Sequence, residues 1–181
     1  QKKLRDGILS AFGQIDGTAF ESATAGNRNT WWQNNLDRVL AGDTTANHAG
    51  AAATFATDIA KIGVSAQASP NVLSLLKRLA QAASPKIKPL YVKEMDQEWY
   101  VVFLGSRAWR DLTEDNPTTN LLTLANRDAR VRGVDNPLFT GDSLVWDGMI
   151  LREIPEISPL TDISGSAGAA VSPVYLCGAQ A

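Results

Sequence analysis

Apolar positions are scattered over residues 2–25, where Gly7, Gly13, Gly17 and Gly26 interrupt any helix longer than a few turns. The pattern then turns helical. Trp32, Leu36, Val39 and Leu40 recur on one helical face, which predicts a helix capped by Thr30 and running to about Leu40, with Gly42 as its left-handed stop. An Ala-rich stretch over 50–62 sets Phe55, Ile59 and Ile62 on one stripe before Gly63. The clearest helix signal covers 70–84. Ser69 can cap it and Pro70 is pre-set for the first helical position. Val72, Leu75, Leu76, Leu79, Ala80 and Ala83 form its stripe, with Lys77, Arg78 and Gln81 toward solvent. Ser84-Pro85 ends it, because a residue before proline is pushed out of the helical region.

Beyond residue 87 the pattern favours strands. Lys88–Val92 reads as a short strand, Glu94–Gln97 as a polar turn and Glu98–Leu104 as the returning strand. The unbroken run Trp99-Tyr100-Val101-Val102-Phe103-Leu104 predicts a central strand covered on both faces. Ser106 caps a short helix to about Leu112. Asp115-Asn116-Pro117 is a turn, and Thr118 starts a helix with Leu121, Leu122, Ala125 and Ala129 inward, ended by Gly133. Leu144–Trp146 and Met149–Leu151 flank Asp147-Gly148, a hairpin signal; one long strand with a bulge at Gly148 is the rival. Ile154-Pro155 marks a strand end, residues 158–173 a flexible loop, and Val174–Cys177 a last strand. Helices mixed with antiparallel strand pairs give the class α+β. The division expected is a helical part, 1–87, and a sheet-containing part, 88–181. Gln1 at the start and the apolar stop after Tyr175 read as a piece of a longer chain.

With 181 residues, 44% hydrophobic, the chain can bury a real core. Its net charge of −2 carries no basic footprint for tight nucleic-acid binding, and no apolar run approaches the length of a membrane helix. A single cysteine, Cys177, excludes an internal disulfide and reads as a small apolar residue beside Leu176.

Little of the chain looks catalytic. There is one histidine, His48, so neither a His/Cys metal site nor a Ser-His-Asp set is expected. A Cys177–His48 dyad would need the fold to bring the two together. Glu94, Asp96 and Glu98 alternate and, if extended, share one face; a carboxylate-dependent hydrolase would use them, though a hairpin tip also leaves such groups solvated. Asp111, Glu114 and Asp115 form a second acidic patch without Ca²⁺-loop spacing. Arg127, Arg130 and Arg132 are interleaved with Asp128 and Asp135 and read as a self-paired helix end. Five tryptophans serve a core or an interface: Trp99 and Trp146 lie in apolar runs, while Trp31 and Trp109 flank polar residues. A binding module presenting Trp31, Trp32 and Trp109 is the alternative to a structural role.

Several blocks together resemble the phage N-four-like family of major capsid proteins. They are Asp37-Arg38-Val39-Leu40; Lys88-Pro89; Tyr100 to Leu104 with Phe103, leading into Arg110-Asp111-Leu112; Asn136-Pro137-Leu138-Phe139-Thr140-Gly141 with Asp147-Gly148; and Gly178-Ala179-Gln180-Ala181. Gly105-Ser106 stands where that family usually has His-Pro, a departure. The resemblance implies the tailed-phage capsid fold of the Hong Kong-97 type, with residues 70–84 as candidate spine helix and a mixed or antiparallel central sheet. It implies a major capsid protein of a tailed bacteriophage or prophage, not an enzyme and without cofactor or metal. Such a protein self-assembles through hexamers and pentamers into an icosahedral shell around double-stranded DNA, bound without sequence specificity. Portal, scaffold and decoration proteins are the further partners implied, with no membrane, and the virion is the implied location. Trp31, Trp109, Arg127 and Arg130 are the expected subunit contacts.

Overall fold

The structure, a computed structural model, describes residues 14–15, 17–44, 54–93, 96–113, 143–157 and 159–179. His48, Glu94, Glu114, Asp115, the helix expected after Thr118 with Arg127 and Arg130, and the Asn136–Gly141 block lie outside the described residues.

The axis of the fold is strand β4 (Gln97–Leu104), preceded by the two-residue strands β1 (Gln14–Ile15) and β2 (Thr18–Ala19) and by β3 (Leu90–Val92). β3 pairs antiparallel with Gln97–Trp99, as the hairpin pattern predicts. β5 (Ser143–Trp146) and β6 (Met149–Glu153) form a second hairpin, in which Asp147 (φ 47°) and Gly148 (φ 71°) both take left-handed backbone. Two positive-φ central residues match the right-handed twist of the paired strands, so the turn wins over the bulge. β6 runs parallel to Tyr100–Leu104, and β7 (Val174–Cys177) runs antiparallel to Val101–Leu104. The sheet is therefore mixed.

Central pairing does not bury β4 equally on both faces. Tyr100, Val102 and Leu104 are buried, whereas Trp99, Val101 and Phe103 are half-buried, which corrects the expectation of full cover on both sides. An apolar run reports that both faces are non-polar and not that both are sealed.

The helices are α1 (Ala25–Asn34), α2 (Phe55–Ile59), α3 (Pro70–Ala82) and α4 (Ser106–Thr113). Helix α1 starts earlier than expected because Thr24, not Thr30, is the cap: its side chain accepts the Asn27 N–H, while the Thr30 hydroxyl donates back to the Gly26 carbonyl. It ends at Asn34, so Leu36 and Val39 reach the core from turns rather than from a continued helix. A reciprocal pair starts α2, Thr57 N–H to Thr54 Oγ1 at 3.2 Å and Thr54 N–H to Thr57 Oγ1 at 3.0 Å. α3 begins as predicted, with Ser69 Oγ accepting the Val72 N–H at 3.3 Å and Pro70 in the first turn. For α4 the Gly105 carbonyl accepts the Trp109 N–H, so Gly105 rather than Ser106 stands at the cap.

Buried residues form two clusters. The sheet core joins Tyr100, Val102, Leu104, Leu144, Met149 and Leu151 to Leu73 and Ala80 of α3 and Ala108 and Leu112 of α4. The second core gathers Trp32, Ala41, Phe55, Ile59, Ile62 and Ile163, with Phe20, Trp31, Leu160 and Val171 against it. Residues 159–173 are thus not a loose loop. Ile163 and Ala169 are buried, and Leu160 N–H bonds the Val171 carbonyl at 2.8 Å. A Cβ at Gly165 would lie 2.3 Å from the Ile62 carbonyl oxygen, so glycine is what lets this segment close against α2's exit. The Ser/Gly/Ala composition reflects that close approach rather than mobility.

Candidate functional site: the seat of helix α3

Residues from four distant parts of the chain meet on one element, α3. Leu73 and Ala80, two turns apart, press on the sheet, and Ala83 is buried just past the helix end. The stripe is rotated from the predicted one: Val72, Leu75, Leu76 and Leu79 are only half-buried. Lys77, placed toward solvent by the sequence pattern, lies four residues after Leu73 and so faces the sheet. Its Nζ is 3.1 Å from Asp147 Oδ1 and also donates to the Asp147 carbonyl. Gly148 lies beneath, where a Cβ would be 3.5 Å from that Nζ. The Asp147-Gly148 turn is therefore fastened under the middle of the helix.

Both ends of α3 are held as well. At the approach, Asp111 Oδ2 on α4 accepts the Ala68 N–H at 3.2 Å. At the exit, Asp37 Oδ2 accepts the Ser84 N–H at 2.8 Å and the Arg38 guanidinium donates to the Ser84 carbonyl. One step further, the Tyr100 hydroxyl donates to the Ile87 carbonyl at 2.9 Å. Burial, with Glu98 adding a smaller effect, raises the Tyr100 pKa, so this donor keeps its proton through the neutral range. Ala179 N–H closes the corner on the Lys88 carbonyl at 2.8 Å, next to Pro89. Gly178 sits so close that a Cβ there would be 2.1 Å from the Lys88 oxygen.

Among the sequence-predicted positions, Asp37, Arg38, Tyr100, Asp111 and Gly148 thus converge on α3 and its exit, with Pro89 beside them. Leu112 is fully buried in the sheet core under them. Phe103 is half-buried, on the opposite face of β4 from Tyr100's buried row. Sequence reasoning missed the seating of Leu73 and Lys77 and the holding of Ser84, and it read Asp147 as a turn and motif residue without its bond to Lys77. The spacing of Leu73, Lys77, Ala80 and Ser84 (i, i+4, i+7, i+11) carries a signal for the first three. Nothing marks Ser84 as a target, because its backbone and not its side chain is what is held.

Of the expected contact residues, Trp31 is half-buried, edge-on to Phe20 at 5.6 Å and tilted against Trp32 at 6.2 Å. Trp109 is half-buried against the sheet core. Asp96 takes left-handed backbone (φ 49°), so the acidic hairpin is not an extended one-face row at that point. The Tyr91 hydroxyl donates to Asp96, which raises the Tyr91 pKa. Glu98 is exposed opposite Tyr91. Cys177 is half-buried and burial raises its thiol pKa, the opposite of nucleophile activation. A buried carboxylate does occur: Asp58 accepts the Trp32 indole N–H at 2.7 Å and lies 3.5 Å from Lys61 Nζ, inside the second core. No group of three or more His, Cys, Asp or Glu suited to a metal ion occurs among the described residues. No described helix is long and apolar enough to cross a membrane.

The arrangement is mechanical: α3 is held from α4 at its approach, from the β5–β6 turn at its middle and by Asp37 and Arg38 at its exit. Residues 5–181 match the family described as phage capsid protein. The chain belongs to the phage capsid protein family. That membership bears out the resemblance carried by the motif blocks. A solved structure, the capsid asymmetric unit of cyanophage Pam1, is similar at a TM-score of 0.77 and 34% identity, over 99% of this chain and 50% of that one. The chain therefore spans about half the length of that capsid chain. No curated protein matches it. The α+β class with a mixed sheet is thus a capsid-like fold.

Proposed function

We propose that this chain is the shell-building part of a major capsid protein of a tailed bacteriophage or prophage, with the Hong Kong-97 type of fold and α3 as its spine helix. The observation that carries the reading is the match to the phage capsid family over residues 5–181. The fastening of α3 supports it physically. A shell subunit transmits load between neighbours, and a helix fastened at its approach, middle and exit couples the segments that hold it. The subunit associates with copies of itself into hexamers and pentamers that close around double-stranded DNA, in the virion, without an active site of its own. The net charge of −2 suits a wall that touches DNA without gripping it. Portal, scaffold and decoration proteins complete the set of partners. Trp31, Trp109, Arg127 and Arg130 are proposed at subunit contacts.

Sedimentation velocity of the protein expressed from the reading frame that carries this chain tests the proposal. Capsomer-sized and larger species that grow with concentration are expected. A species that stays monomeric across salt and concentration, also when co-expressed with the neighbouring genes, contradicts it.

A further inference from the structure

Tyr91 on β3 is 51% exposed, and the register sets it opposite Glu98 on β4, so the two side chains share a face. The Tyr91 hydroxyl also donates to Asp96. That bond is the main cause of the raised Tyr91 pKa, with burial and the Glu98 charge adding to it, so both carboxylates lie close to the ring. Asp96 and Glu98 are exposed, and Lys93 at the same turn offsets one of the two charges. A ring face beside carboxylates suits a guanidinium, which stacks on the ring while it donates to the oxygens.

The other end of β4 presents guanidiniums. α4 starts there, and Arg107 and Arg110, both exposed, are neighbours on its surface at a spacing of one turn. With Ser106 and Asp111 they line an open hollow of about 470 Å³. Asp111 is engaged by the Ala68 N–H. Patch and hollow lie on the same side of the sheet, since Glu98 alternates in step with Tyr100, Val102 and Leu104, the row against which α4 packs. At the rise of a strand Glu98 and Leu104 are about 20 Å apart, so patch and hollow of one chain do not meet. Two chains bring them together head to tail, and every such pair keeps one patch and one hollow open for the next copy, until a ring closes. We propose that the Tyr91–Glu98 patch of one copy takes Arg107, with Arg110 beside it, from α4 of the next. The inference rests on the shell reading, which supplies the copies, and adds which surfaces meet. An exposed ion pair within one chain is worth little. Between chains the contact itself desolvates the pair, the Tyr91 ring adds apolar area, and the charges select register and partner.

The test is sedimentation velocity of the protein expressed from the reading frame that carries this chain, as parent, Glu98→Lys and Arg107→Glu. Each reversal sets like charges against each other and should raise the concentration at which oligomers appear by about tenfold. Mixing the two variants in equal parts should restore the parent's behaviour, because intact patch then meets intact hollow and reversed patch meets reversed hollow. Both reversals in one chain should restore it as well. Urea midpoints should stay at the parent's value, since both side chains are exposed. Where a reversal lowers the midpoint, Glu98→Gln and Arg107→Gln decide instead, each expected to weaken assembly by a smaller factor. Assembly that survives these changes, or a mixture no better than its two components, overturns the contact and leaves the shell reading standing. A parent that stays monomeric contradicts the shell reading and the contact together.

Discussion

Leu73→Ala isolates the apolar part of the seat of α3. Leu73 is 2% exposed and packs into the cluster that contains Tyr100, Leu104 and Met149. Truncation removes nearly the whole transfer free energy of the side chain and leaves a cavity against β4, which cannot collapse without moving the sheet. Leu→Ala at such sites costs about 2–5 kcal/mol, and about 3 kcal/mol is expected here. For a chain of this size that is a fall in Tm of about 6–12 °C. Equilibrium urea unfolding of the purified protein, followed by tryptophan fluorescence, reads the change as a shift in midpoint at constant slope. Leu75→Ala, at a half-buried position on the same helix, should cost about half as much, and Ser74→Ala, exposed, should stay within about 0.5 kcal/mol. A Leu73→Ala cost below about 1 kcal/mol, or a larger cost at Leu75, refutes the rotation of the helix described above.

Tyr100→Phe removes the bond to the Ile87 carbonyl and should cost about 1 kcal/mol, measured in the same titration. Gly105→Ala should cost about 1–3 kcal/mol, since its Cβ would stand 2.2 Å from the Ile157 carbonyl oxygen and backbone must shift; a neutral effect would mean that this corner is loose. Glu21 accepts the Asp162 N–H at 2.9 Å, together with the Thr161 N–H and hydroxyl, and the Asp162 bond leads the lowering of its pKa from 4.5. A depressed folded pKa means that its stabilisation is fully present above the unfolded value and is lost as pH falls through the folded one. Exchange protection of residues 160–170 should therefore drop below about pH 4.5, and Glu21→Gln should remove that pH dependence. Cys177, half-buried with a raised pKa, should react slowly with iodoacetamide at pH 8 and quickly once urea unfolds the chain.

Much of this fold is legible in the sequence where local chemistry decides. Ser69-Pro70 fixes the start of α3, Asp147-Gly148 the β5–β6 turn, and the run Trp99–Leu104 the strand at the centre of the sheet. What is not legible is decided by partners far along the chain. The parallel pairing of β4 with β6 leaves no local mark, because an apolar strand reads the same in either direction. The helix near Trp32 is displaced from its expected span because Thr24 also offers a cap: it accepts the Asn27 N–H, while the Thr30 hydroxyl bonds back to Gly26 inside the helix. Residues 159–173 look loose by composition yet are ordered by contacts with Ile62 and Glu21, up to 141 positions away. The site follows the same division. Asp37, Arg38, Asp111 and Gly148 were recognisable as motif positions, but their common target emerges only when the chain folds and brings Ser84, Ala68 and Lys77 to them.

The remaining question is whether copies of this protein close into a shell, and negative-stain electron microscopy of the purified product answers it. The reading frame that carries this chain is expressed in bacteria, alone and with its neighbouring genes. Closed shells or capsomer rings are the predicted result. Dispersed particles of single-subunit size under both conditions would contradict the assignment of this chain to shell building.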